Sequence, residues 1–242
     1  MSMTSTDTRI SIGLEQGADG WLWAHPLALA GCAAAGPTPE AAVAAFEAEL
    51  VEWLGFVAAA GMPVPPRDSE LELAVDEWIE SDADVREGES YALFAADVAG
   101  LSDDEMRLGL RLLGDLRGAL LAAIRVLPRR ELEAALESPA EGGWTAREVL
   151  EELARAQWWT LSRLGATPMG ESPDSTLARL DTAMALVVRE MVELPPDRRS
   201  LRLELDGEEW TPRKVMRRLL WLEWTLGRAA ARALGPPTPT ER

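Results

Sequence analysis

Few side chains in this 242-residue chain are of a kind that performs chemistry, and they are scattered. There is one histidine, His25, and one cysteine, Cys32. A lone imidazole has no partner from which to build a triad or a metal site. Cys32 lies in Gly31-Cys32-Ala33-Ala34-Ala35-Gly36, which reads as a short strand where a thiol is buried and inert. Carboxylates are the remaining candidates: Glu148, Glu151 and Glu152 in one stretch, and Glu223 near the C-terminus. Glu152 shares a helical row with Val149 and Ala156, which points it partly inward. An inward carboxylate holds its proton more tightly, so it can serve as acid or base or join Glu223 around a hard cation. The competing reading is an ion pair with one of the many arginines. Tryptophan is the other unusual resource, with ten residues, and Trp158, Trp159, Trp221 and Trp224 crowd two segments. Such residues serve a core or a dimer interface first, and an aromatic ligand pocket second.

The elements that position these groups are announced by a stretch used twice. Gly143-Trp144-Thr145-Ala146-Arg147-Glu148-Val149 returns as Glu209-Trp210-Thr211-Pro212-Arg213-Lys214-Val215. Trp158 and Trp224 each follow their motif tryptophan by 14 residues. Thr145 and Thr211 stand where an N-cap hydroxyl satisfies an orphan backbone N–H, Glu148 completes a capping box, and Pro212 suits a first helical position. The tryptophan before each cap is placed to fold back as a hydrophobic staple. Apolar residues then recur at helical spacing in both copies, so two matched amphipathic helices are expected. Ser102-Asp103-Asp104-Glu105 opens another long helix to about Leu127, Arg129–Leu136 adds a short one, and Ser175–Glu193 forms a further core-facing helix.

The two Trp-Thr helix starts and the run Arg217-Arg218-Leu219-Leu220-Trp221-Leu222-Glu223-Trp224 resemble the DinB-like four-helix bundles over roughly residues 100–235. That superfamily includes metal-dependent thiol transferases using mycothiol or bacillithiol. Its metal-binding members carry a His eight residues after the motif Trp and a His-x-x-x-His in the last helix. Those positions are Glu152, Leu222 and Leu226 here, so all the metal-binding imidazoles are missing. The resemblance therefore implies a bundle without its metal, without a cofactor, and with a dimer made through bundle helices. The ligand pocket it implies comprises Glu152, Trp158, Leu222, Glu223 and Leu226. A divergent transferase working through Glu152 is the alternative.

Upstream, residues 8–16 alternate as a half-buried strand, Asp19-Gly20 makes a tight turn, and Trp21–His25 forms a second strand. Thr38-Pro39-Glu40 opens a helix that Gly61-Met62-Pro63 ends. Glu70–Glu80 and Ser90–Ala96 read as two further strands. This order, with Leu29-Ala30-Gly31-Cys32 followed by Gly36-Pro37-Thr38-Pro39-Glu40, resembles the HicB-like antitoxin fold. The usual Pro is Ala30 here, and no ribbon-helix-helix or helix-turn-helix unit is visible. The resemblance implies a regulator that binds a protein partner as a third function class.

The expected fold is thus α+β: a small HicB-like α/β-sandwich over residues 1–99, then an all-α DinB-like four-helix bundle over residues 100–242. A formal net charge of −17 argues against nucleic-acid or anionic-membrane partners. Arg213, Lys214, Arg217 and Arg218 cluster, but they read as a solvated helix face. A single cysteine, a polar Met1–Arg9 and the lack of a long apolar run suit a cytoplasmic protein. Asn is absent and Lys214 is the only lysine, a bias of high genomic GC content or a warm habitat. Gly235–Arg242 reads as a frayed polar tail. The function expected is non-catalytic, through self-association or binding of a small apolar ligand.

Overall fold

The computed structural model describes residues 8–28, 31–66, 69–166 and 172–235. The readings of residues 1–7, of Leu29-Ala30 and of the tail beyond Gly235 lie outside them. The protein is mixed α/β, with a four-stranded N-terminal sheet followed by helices.

Strands β1 (Thr8–Gln16), β2 (Leu22–Pro26), β3 (Ala34–Gly36) and β4 (Leu71–Glu80) lie in the order β3-β2-β1-β4. β1 runs antiparallel to β2 and parallel to β4, with a register shift between Ile12 and Gly13. Helix α1 (Pro39–Ala59) is capped by Thr38, whose Oγ1 accepts the Ala41 N–H at 3.2 Å. Alternation along β1 and β2 gives the sheet two faces. Ile12, Leu14, Leu22 and Ala24 join Phe46, Leu50 and Trp53 of α1 in the core. Gly13, Glu15, Trp23 and His25 take the opposite face, which Phe94 covers so closely that a Cβ on Gly13 would lie 2.3 Å from its ring.

Ser90–Ala96 is not a strand. Residues 89–94 run as irregular chain into the short helix α2 (Ala95–Val98). The reason is local: the Glu15 carboxylate accepts the backbone N–H groups of Tyr91 and Ala92 at 2.6 and 2.9 Å. Donors held by a side chain are not free for a strand ladder.

Helix α3 (Asp103–Arg125) starts at a Ser102/Glu105 capping box. After Pro128 comes α4 (Arg129–Leu136), and α5 (Ala146–Ser162) starts at the Thr145/Glu148 box. Helix α6 (Thr176–Val192) is capped by Ser175. A hairpin of β5 (Leu203–Leu205) and β6 (Glu208–Trp210) turns through Asp206 and Gly207, both at positive φ, as a two-residue hairpin turn requires. It leads into α7 (Pro212–Leu234), capped by Thr211. Each of α3, α5, α6 and α7 packs against two of the others: α3 and α5 both touch α6 and α7. Gly109 lets α3 approach α7, since a Cβ there would lie 2.6 Å from Met216 Sδ. One apolar cluster runs from Ile12 and Phe46 through Leu113 and Leu161 to Leu219 and Trp224, so the core crosses the boundary expected near residue 100. No helix among the described residues is long and apolar enough to cross a membrane.

Candidate functional site

The residues singled out from the sequence fall in three places. Glu152 and Trp158 line a groove of about 970 Å³ between α5 and α6. Ala154, Ala183 and Leu186 contribute apolar surface to it, and Trp144 and Trp158 lie at opposite ends of the α5 side. Glu152 does not turn into the core. Both of its oxygens accept from Arg155 Nε and Nη2, at 2.8 and 2.6 Å. The other rim charges are also engaged within the chain. Glu148 serves the Thr145 cap, Glu151 accepts from the Thr176 hydroxyl, Arg179 donates to the Pro173 carbonyl, and Arg189 pairs with Glu190. Glu152→Ala should therefore cost less than about 1 kcal/mol in urea unfolding, as exposed i,i+3 pairs do. A larger loss would show Glu152 to be a structural anchor.

Leu222 and Leu226 do not line the groove. Leu222 is buried with Leu120, Leu150 and Leu153, and Leu226 packs against that cluster. Glu223 is buried on α7, and Arg117 of α3 donates Nε and Nη2 to it at 2.7 and 3.0 Å. Gln157 of α5 donates at 2.6 Å, and Arg117 Nη1 reaches the Leu180 carbonyl of α6. Arg117 and Glu223 together thus tie α3, α5, α6 and α7. Glu152, Leu222 and Leu226 do not form one ligand set, and among the described residues no group of three His, Cys, Asp or Glu could hold a metal ion.

The two copies of the repeated motif keep the same caps but different surroundings. Thr145 Oγ1 accepts the Glu148 N–H at 3.2 Å, and Thr211 Oγ1 accepts the Lys214 N–H at 3.1 Å. Trp210 and Trp224 are only 1% and 4% exposed, whereas Trp144 and Trp158 are 43% and 38% exposed. The second copy is covered from the N-terminal part of the chain. Trp53 of α1 meets Trp224 edge-on at 5.0 Å, Phe56 lies 5.6 Å from it, and Glu49 accepts the Trp224 indole N–H. Trp210 is covered by Trp159 of α5, at 5.4 Å, and not only by its own helix, whereas Trp144 stays half-exposed. No family model, curated protein or solved structure matches this chain. What the protein does must therefore be argued from its own surfaces.

Of the four basic residues at the start of α7, Lys214, Arg217 and Arg218 form a buried polar cluster against the sheet rather than a solvated face, and the partly buried Arg213 pairs with Glu105 of α3. Lys214 Nζ donates to Glu208, at 2.7 Å, and to the Tyr91 and Glu209 carbonyls. Burial lowers the Lys214 pKa and raises that of Glu208, each offset by the other's charge. Arg217 forks onto Asp97 at 2.8 and 3.1 Å and donates to His25 Nδ1 at 3.2 Å. Guanidinium can only donate, so Nδ1 accepts and the neutral His25 carries its proton on Nε2, 3.6 Å from Glu15. Burial first, then the charge of Arg217, pushes His25 down to about 4 against the pull of Glu15. Burial alone would raise Glu15, but donors from His25, Ser90 and Ser81 bring it down to about 2. Arg218 makes no hydrogen bond to a described residue, and its Nε and Nη1 are buried without a partner. Burial, then Arg217, lowers it to about 10. Its guanidinium carbon lies 4.9 Å from the Trp221 ring and 5.8 Å from that of Trp23. The sequence signal for this cluster was the only lysine, three residues before an Arg-Arg pair at the start of an amphipathic helix; its destination on the sheet depended on tertiary packing.

Cys32 is buried, and burial followed by the Glu49 charge pushes its thiol up to about 12. It is no nucleophile at neutral pH.

Proposed function

We propose that the protein is a non-catalytic, DinB-like binding protein whose α5–α6 groove takes an elongated, uncharged apolar guest. The observation that carries this reading is the contrast between the motif copies. The tryptophans of the second copy are covered by aromatic side chains, and the equivalent pair of the first copy lies half-exposed along a large groove. Exposed aromatic surface of this kind gains free energy when it is covered. Because the charged rim groups are engaged with neighbours in the chain, the groove offers a guest apolar contact in preference to an ion pair. A carboxylate held bidentately by Arg155 also speaks against acid–base work by Glu152.

Self-association is the second reading, favoured because the cover on Trp224 is a protein helix, α1. Both readings are tested with Ala183→Trp, which fills the groove. The neutral dye N-phenyl-1-naphthylamine should bind the unmodified protein at one per chain, and the variant should lose at least roughly tenfold in affinity. Light scattering on the same samples separates the readings. A dimer that falls to monomer in the variant selects self-association, and an unchanged mass with lost dye binding selects the small guest. Dye binding and mass that both ignore the substitution would remove the groove from consideration.

A further inference from the structure

We propose that Arg218, packed against Trp221 and Trp23, is the anchor of a second site that binds a small monocarboxylate with a flat apolar body. This site lies on the sheet-facing side of α7, separate from the α5–α6 groove, and does not depend on how that groove is used.

The argument starts from an unmet requirement. Arg218 is 9% exposed, and its Nε and Nη1 have no acceptor. A buried cation deprived of hydrogen bonds is costly, and such groups are normally satisfied by protein, water or ligand. The neighbouring carboxylates bond to other donors, and none of them reaches its Nε or Nη1. Glu15 accepts from Ser81, Ser90, Tyr91 and Ala92, Asp97 is held by Arg217, and Glu208 by Lys214. Glu89, on the solvent side, accepts from the Asp84 N–H and the Tyr91 hydroxyl. The chain thus surrounds Arg218 with carboxylates and offers it none of their oxygens.

The surroundings also set the ligand's charge and shape. Glu15, Asp97 and Glu208 balance Lys214, Arg217 and Arg218, with Glu89 beyond them on the solvent side. Among anions, a singly charged carboxylate adds the least charge to that cluster and matches the guanidinium fork with two parallel hydrogen bonds. A phosphate dianion would meet Glu15, Glu208 and Glu89 with twice the charge. The half-buried Trp221 ring, 4.8 Å from Trp23, supplies an apolar wall for a planar body. Gly88, at φ 87°, brings the neighbouring loop over that wall, since a Cβ there would lie 3.9 Å from the Trp221 ring.

The test uses the full chain with benzoate, the neutral isostere benzamide, and inorganic phosphate, read by saturation-transfer NMR and titration calorimetry. Benzoate should bind at one per chain and at least roughly tenfold more tightly than benzamide or phosphate. Arg218→Met should lose that binding by a similar factor, and Arg218→Lys should not restore it, because an ammonium is a point charge rather than a fork. The thermal midpoint of Arg218→Met should be no lower than that of the unmodified protein, since an orphaned charge is removed without opening a hole. The proposal is overturned if benzoate does not bind, if benzamide or phosphate binds as well, or if Arg218→Met retains benzoate. It is also overturned if Arg218→Met unfolds or melts markedly earlier, because Arg218 would then be a structural cation. If Arg218→Met is stable, Trp221→Leu should weaken benzoate and leave weaker acetate binding unchanged; equal loss of both would reject the aromatic wall.

Discussion

Replacing Glu223 by Leu should destabilise the protein by about 3–5 kcal/mol, the cost of leaving one member of a buried ion pair unpaired. The Glu223 side chain is wholly buried and accepts from Arg117 twice and from Gln157 once. In the variant, Arg117 keeps its bonds to the Leu180 carbonyl and the Gln157 amide oxygen but has no counter-charge in a nearly water-free setting. A domain of this kind is stable by only about 5–15 kcal/mol, so the loss would show as a large drop in the urea midpoint. Removing both charges, with Arg117→Met and Glu223→Leu together, should recover most of the loss, because a hydrophobic replacement of similar volume carries no desolvation penalty. The double variant separates a structural role from a functional one: recovered stability together with undiminished groove binding makes Glu223 a helix tie. A single Glu223→Leu variant within about 1 kcal/mol of the parent would contradict the geometry.

Local signals were legible because their physics is local. Thr38, Ser102, Thr145, Ser175 and Thr211 all cap the helices they precede. A cap needs only a hydroxyl and the next three residues. The strands Thr8–Gln16 and Leu71–Glu80 follow from alternation, but their parallel pairing does not, because pairing is decided at long range. Ser90–Ala96 misled for the same reason: the competitor for its backbone donors was Glu15, 76 residues from Tyr91 and 77 from Ala92. The burial of Lys214, Arg217 and Arg218 likewise depends on partners from the sheet and from residues 91–97. Glu152 showed the limit of a helical row, since the groove side and the core side of α5 adjoin around the helix and Glu152 is next to the buried Leu153. The repeated motif disclosed two helices of the same design, while only the tertiary structure disclosed that one is covered by α1 and the other is bare.

Stability should fall by about 3 kcal/mol as the pH drops from 6.5 to 4, and His25 should carry that loss. The sign follows from the two states. In the unfolded chain the imidazole takes up its proton near 6.5, while in the folded protein burial and Arg217 hold it neutral down to about 4. The unfolded state therefore binds more protons across that window, and acid favours it. Glu15 adds a second, lower limb. Its contribution is complete above 4.5 and is lost as the pH falls toward about 2. Composition makes the upper limb readable, because His25 is the only histidine, and Glu208, whose pKa burial raises, acts with the opposite sign by favouring the folded state as the pH falls. His25→Gln is the informative substitution. Its carbonyl oxygen can accept from Arg217 and its amide can donate toward Glu15, so both contacts of the neutral imidazole are retained without a titrating group. Urea unfolding at half-unit steps should show a steep slope between pH 6.5 and 5 in the parent and a nearly flat line in the variant. An equal slope in both would assign the acid sensitivity elsewhere and would mean that His25 keeps its ordinary pKa in the fold.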